Sequence, residues 1–210
     1  MILRIVGINH FDPAERQSLS EWLARCAEAY GNPEFIAVEW DSGFHDQLRA
    51  RRDEFANMLK KEWPNISESL LKTLKLSLGY DGDTHLETYA GVETLWLDEG
   101  RPFRKRVLED YAHNRLKLYK AYLGEWPTDA DDSEILFRIS RGANNDVEAP
   151  PASGTPRDES FADRIAQKVR KDDDGWAIVI VGKNHAADCF GSMRRLLEVI
   201  GYDCEVSYLA

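Results

Sequence analysis

Two histidines carry the strongest chemical signal in this chain. His10 ends "GINH" at residues 7–10, His185 ends "GKNH" at residues 182–185, and each motif closes an apolar run. Glycine lets a strand turn sharply, so the imidazole that follows projects over the strand's end. With 14 glycines and five histidines in 210 residues, about a third of one Gly-x-x-His match is expected by chance. Two matches that also share Asn before His read as a repeated device. A neutral imidazole accepts protons near neutral pH and ligates transition metals.

Two further residues join this pair. Glu39 ends the run "EFIAVEW" at 34–40, with Asp41 just beyond it as a spare acid. Arg157 falls in the first turn of an expected helix, where the positive end of the helix dipole disfavours a cation. A substrate carboxylate, an oxyanion, Glu39 or the neighbouring Asp158 or Glu159 would compensate it.

Two imidazoles and a carboxylate suit a divalent Zn, Mn, Fe or Co ion with one position left open for water. The chemistry expected is hydrolysis of a peptide, amide or ester bond. His10 and His185 hold the metal, Glu39 is a third ligand or the general base, and Arg157 steadies the developing oxyanion. A metal-free version has a histidine activate water directly while Glu39 orients its ring. A non-catalytic alternative uses the same residues to hold haem, iron or an acidic small molecule. A third has the acidic stretch 128–148 dock a partner, although such a composition also describes a solvated loop.

The elements that must position these groups follow from periodicity. "MILRIV" (1–6), "EFIAVEW" (34–40), "VETLWLD" (92–98), "WAIVIVG" (176–182) and "CEVSYL" (204–209) read as strands, and the β-branched fourth suits a strand buried on both faces. Between the first two, Asp12-Pro13-Ala14-Glu15 has the form of a helix start, and Leu19, Leu23 and Cys26 follow at helical spacing. Helices are expected over 44–63, 66–78, 102–123 (through Phe103 and Val107) and 192–200, and from Pro156 with Thr155 as N-cap and Asp158 at the capping-box position. "GYDGDTH" at 79–85 reads as a turn in which Asp81, Asp83 or His85 either reaches the site or serves local turn chemistry. Residues 123–156, rich in Asp, Asn, Gly and Pro, read as a flexible insertion or lid. The fold class is therefore α/β. A single domain over 1–210 has a central, mostly parallel sheet with helices on both faces, two terminal βαβ pseudo-repeats at 2–40 and 176–209, and a helical middle. In a parallel sheet both His motifs lie at the carboxyl edge, where open α/β sheets bind ligands.

GINH, the Glu of "AVEWD", "PRDESFADRI" and "VIVGKNH" followed by a short helix and "GYDCEVSYL" resemble the TraB/Tiki superfamily and its erythromycin esterase-like and ChaN-like relatives. The likeness covers roughly residues 1–45 and 155–210 and implies a set of His10, Glu39, Arg157 and His185 on a central-sheet α/β fold. It also implies a functional range of metal-dependent peptidases, esterases and haem-binding proteins.

Charge and composition narrow the partners. A formal net charge of −10, with no basic stripe interleaved with aromatics, argues against nucleic acid. No apolar run approaches a membrane span and no basic leader opens the chain, so a cytoplasmic protein with a small-molecule or peptide substrate is expected. Cys26, Cys189 and Cys204 lack metal-knuckle or redox spacing and are expected to be reduced, with Cys26 buried. His45 and His113 fall in expected helices and receive no role, and Trp96 and Asp98 either line the site or pack locally.

Overall fold

In a computed structural model, which describes residues 1–100, 105–128, 130–146 and 153–209, the chain is an α/β protein built on one five-stranded, all-parallel sheet. The strands are β1 (Ile2–Ile8), β2 (Ile36–Val38), β3 (Thr94–Trp96), β4 (Trp176–Gly182) and β5 (Asp203–Tyr208), in the order β3-β2-β4-β1-β5. The expected strands all occur, the two shortest trimmed at their ends.

β1 and β4 are the most apolar strands and lie side by side at the centre, in register from Ile2 opposite Trp176 to Ile8 opposite Gly182. Alternation along them feeds two cores. Leu3, Ile5, Val179 and Val181 face one side; Val6, Ile8, Ile178 and Ile180 face the other, and all are essentially inaccessible. Each such side chain contributes about 1.5–3 kcal/mol on burial.

The two terminal βαβ units interleave. The first runs from β1 through α1 (Glu15–Tyr30) to β2, stepping over β4; the second runs from β4 through α9 (Lys183–Ala186) and α10 (Met193–Ile200) to β5, stepping over β1. Parallel crossovers are right-handed, so two that step in opposite directions must place their helices on opposite faces. They do: Leu19 and Leu23 of α1 pack in one core, Met193 and Leu197 of α10 in the other. α8 (Pro156–Lys168) joins α10 through Phe161 and Ile165. The strand order reverses between β1 and β4, which opens a crevice above their carboxyl ends.

A third layer of helices closes over that edge. It comprises α3 (Arg52–Glu62), α4 (Glu68–Leu76), α6 (Lys105–Leu123) and α7 (Asp132–Asn145), whose shared core includes Phe55, Leu59, Leu74, Tyr119 and Ile139, and α2 (Ser42–Ala50), whose Phe44 and Leu48 form a smaller cluster with Trp40. The helix expected over 44–63 is two helices, broken at Arg51. "GYDGDTH" is a 3-10 turn (Tyr80–Gly82) leading into the short α5 (Thr84–Thr88) rather than an open turn. Inside the segment read as an insertion stands α7, capped by Asp131, which accepts the Glu134 N–H, and seated on Ile135, Ile139 and Ala143. Phe103 and residues 147–152 lie outside the described residues, and among those described no helix is long and apolar enough to cross a membrane.

Candidate functional site

The carboxyl edge brings together His10, Glu39, Arg157 and His185. The motifs are not superimposable: Gly7 lies within β1 and Gly182 ends β4, because Ile8, not Gly7, is the register partner of Gly182. β1 therefore runs one residue further before Asn9 and His10 turn away, while β4 passes directly into α9, which carries His185. Gly182 is required by close approach. A Cβ there would lie 3.1 Å from His10 Nε2 and 3.2 Å from Glu39 Oε2.

His10 is held at both nitrogens. Nδ1 donates to Asp81 Oδ2 at 2.9 Å and Nε2 to Glu39 Oε2 at 3.0 Å. Only imidazolium donates at both positions. Burial opposes that charge, but Glu39 and Asp81 outweigh it and hold the His10 pKa well above the ordinary value. Asp81 also accepts the Trp40 indole N–H, and the Trp40 ring stands edge-on to His10.

His185 is held differently. Its Nδ1 donates to Asp158 Oδ1 at 2.9 Å, while Nε2 lies 3.7 Å from Glu39 Oε1, beyond hydrogen-bond reach. Asp158 occupies the capping-box position of α8 as expected: Oδ2 accepts the Thr155 N–H at 2.9 Å and its hydroxyl at 2.8 Å, and Oδ1 also accepts the Met193 N–H at 2.8 Å. Burial pushes this carboxyl up, but those donors hold it down at about 2. A carboxylate so anchored fixes the His185 tautomer with hydrogen on Nδ1 and leaves Nε2 as an acceptor.

Glu39 is the hub, 4 % exposed at the end of β2. Oε2 accepts the Gly182 N–H at 2.6 Å as well as His10, and Oε1 meets the Arg157 guanidinium at 2.7 Å. Burial works against its charge, yet His10, Arg157 and His185 hold its carboxyl well below the usual range. Arg157, in the first turn of α8, also donates from Nε to both oxygens of Asp98 at 3.1 Å. Two carboxylates thus offset the unfavourable dipole at that helix end. Above the hub lies a pocket of about 500 Å³, floored by His10, Glu39, Arg157 and His185 and walled by Phe11, Leu118, Tyr122 and Ala143.

Other candidates are spent elsewhere. Asp41 caps α2 by accepting the Phe44 N–H, Asp83 pairs with Arg52 at 2.8 Å, and His85 is buried against the Thr94 hydroxyl. Buried His45 meets the Gly79 carbonyl. The three cysteines are free, and Cys26 is buried. The helix start read at Asp12 falls later, because α1 begins at Glu15 with Ala14 at its N-cap and no side-chain cap. Asp12 accepts the Ala14 N–H and, from α7, Ser140 and Asn144, whereas the Glu15 carboxylate accepts the Asn9 N–H at 2.6 Å and the Lys183 ammonium at 2.8 Å. Sequence reasoning placed Asp158 as a cap or as a partner of Arg157, not of His185, and nothing in it marked the Glu15–Lys183 pair beside the pocket.

Among the described residues, no three His, Cys, Asp or Glu side chains form a group able to hold a metal ion. As arranged, Glu39 is already filled by Gly182, His10 and Arg157. The residues form instead two Asp–His pairs facing one carboxylate–guanidinium pair, an assembly able to move protons and to meet a developing negative charge. No family model, no curated protein and no solved structure matches this chain.

Proposed function

We propose that this chain is a hydrolase of an ester, amide or peptide bond, of the TraB/Tiki-like type that the two Gly-x-Asn-His motifs suggest. The observation that carries the reading is the convergence of Asp81–His10 and Asp158–His185 on Glu39 and Arg157 beneath one pocket. In this reading His185 is the general base, because Asp158 occupies its Nδ1 and leaves Nε2 open. The 3.7 Å between Nε2 and Glu39 Oε1 suits a water donating one hydrogen to each, with its lone pair turned toward the substrate carbonyl. The attacking water loses its proton to His185, and the carbonyl oxygen, gaining charge, is met by the remaining N–H groups of Arg157. His185 then returns the proton to the leaving alcohol or amine.

A metal-dependent form of the same hydrolysis is the second reading. It is favoured by the carboxylate on Nδ1 of each imidazole, which is the usual outer support of histidine ligands. His10, His185 and Glu39 would hold the ion, which would supply an activated water, and Arg157 would have to leave Glu39.

The test is a panel of p-nitrophenyl esters and aminoacyl p-nitroanilides, assayed with and without chelator and with Mn, Co, Zn and Fe added back. Turnover that survives chelation and falls about 100-fold or more in a folded His185→Asn variant is the expected result. Loss on chelation with recovery on metal addition selects the second reading. No turnover of any member under any condition sinks both.

A further inference from the structure

α6 carries an arginine that the site chemistry leaves unused. Arg115 is completely buried, and its only hydrogen-bond partners among the described residues are two phenols: NH2 donates to Tyr111 at 3.0 Å and NH1 to Tyr119 at 3.3 Å. Nε is buried with no acceptor, and no carboxylate among the described residues pairs with the group. A guanidinium has five N–H donors, so three are left over. The rings of Phe11, Tyr111 and Tyr119, with centres 4.9, 5.4 and 5.9 Å from the guanidinium carbon, stabilise the charge through their π faces, but they leave the unbonded N–H donors without an acceptor.

Position supplies the reason. Arg115, Leu118 and Tyr122 stand at i, i+3 and i+7 on one face of α6, and the latter two wall the pocket. Between Arg115 and the pocket lies Phe11, the residue after His10. Its ring centre is 4.9 Å from the guanidinium carbon, it stacks on Tyr111, and it is 38 % exposed. Phe11 itself lines the pocket, so turning that side chain aside removes a cover between the pocket and the guanidinium.

We propose that Arg115 is the recognition group for a carboxylate on the substrate, reached when Phe11 rotates, so that the pocket takes molecules bearing an anionic end near the bond presented to His185. The guanidinium offers the carboxylate two parallel N–H groups, Nε–H and one terminal N–H, while the tyrosines keep the plane of the fork fixed. Leu118 and Tyr122 accept the apolar body of the molecule. The inference rests on the hydrolase reading for the word substrate, but it is tested by binding without turnover.

The experiment is calorimetric titration of the full chain with phenylacetate and with neutral phenylacetamide. Phenylacetate should bind at least about tenfold more tightly than the amide, that preference should vanish in Arg115→Met, and Phe11→Ala should tighten phenylacetate by removing the cover. Phenylglyoxal labelling of the wild-type protein and of Phe11→Ala, mapped by peptide mass spectrometry, keeps the test open if Arg115→Met does not fold: Arg115 should react faster in Phe11→Ala than in the wild type and be protected by phenylacetate in both. Equal binding of acid and amide, an unchanged preference in folded Arg115→Met, or no protection of Arg115 overturns the proposal. Any of these leaves the ester and anilide assay untouched, and failure of that assay leaves the titration readable.

Discussion

Asp158 shows how much one buried carboxylate does at this site. It accepts four hydrogen bonds, two from Thr155 and one each from Met193 and His185, so it caps α8, ties α10 to it and aims the imidazole. Asp158→Asn keeps the shape but brings an amide that must place two hydrogens among donors. The expected outcome is a stability loss of about 1–2 kcal/mol by urea unfolding and hydrolysis lowered about 10- to 100-fold in kcat. A Thr155→Ala variant, which removes only part of the cap, should show the stability loss with little change in kcat. Equal losses of activity in the two would mean that Asp158 acts through the helix alone. Gly182→Ala tests the hub from the other side, since its Cβ would arrive 3.1 Å from His10 Nε2 and 3.2 Å from Glu39 Oε2. Those groups must move by a few tenths of an ångström, so activity should fall more than stability, read as kcat against urea midpoint. Of these residues, His10 and His185 were legible as a motif that chance rarely repeats, Glu39 as the acid that ends a strand, and Arg157 as a cation in the first turn of a helix. Asp81 and Asp158 were not singled out as imidazole partners, because a turn acid and a cap acid have complete local explanations.

At the level of elements, what was legible was whatever local periodicity encodes. The β-branched run of β4 and the Pro156 helix start needed no partner to be read. Strand order was beyond reach: β1 and β4 pair across some 170 residues, and nothing in either run says which neighbour it takes. α7 escaped because Ile135, Ile139 and Ala143, although helically spaced, are embedded among Asp, Asn and Gly. Its hold on the sheet edge is correspondingly polar: Asp12 accepts Ser140 Oγ at 2.6 Å and Asn144 Nδ2 at 2.9 Å, and Asn9 donates to the Ala143 carbonyl. The α7 end of the pocket wall therefore depends on Asp12 while the α7 start depends on apolar burial. Asp12→Ala should raise hydrogen exchange at residues 140–146 and leave 176–182 unchanged. Uniform loosening of both segments would show that Asp12 serves the whole domain rather than this helix end.

Over the whole molecule, the buried ionisable groups divide the pH axis among themselves. His85 is buried, with Nε2 on the Thr94 hydroxyl and no partner at Nδ1, and burial lowers its pKa from 6.5 to about 4. Between those values the unfolded chain binds a proton that the folded chain refuses, so stability falls as pH falls from 6.5 to 4, by about 3 kcal/mol. His45, also lowered by burial, adds to the loss in the same direction. His10 has the opposite sign: its raised pKa contributes stability that is complete below 6.5 and is lost only as pH rises through the folded value, so it cannot cancel the acid slope. Glu39 and Asp158, held below 4.5 and 3.8, lose their contributions only on further acidification. Urea unfolding of the wild type at pH 7, 5.5 and 4.5 should therefore show a steady decline, and His85→Gln, which keeps a hydrogen-bonding side chain without a titrating ring, should flatten most of it. A decline equally steep in His85→Gln would move the acid sensitivity from His85 to His45, the other histidine whose pKa burial lowers, and His45→Gln would then be the variant that flattens it.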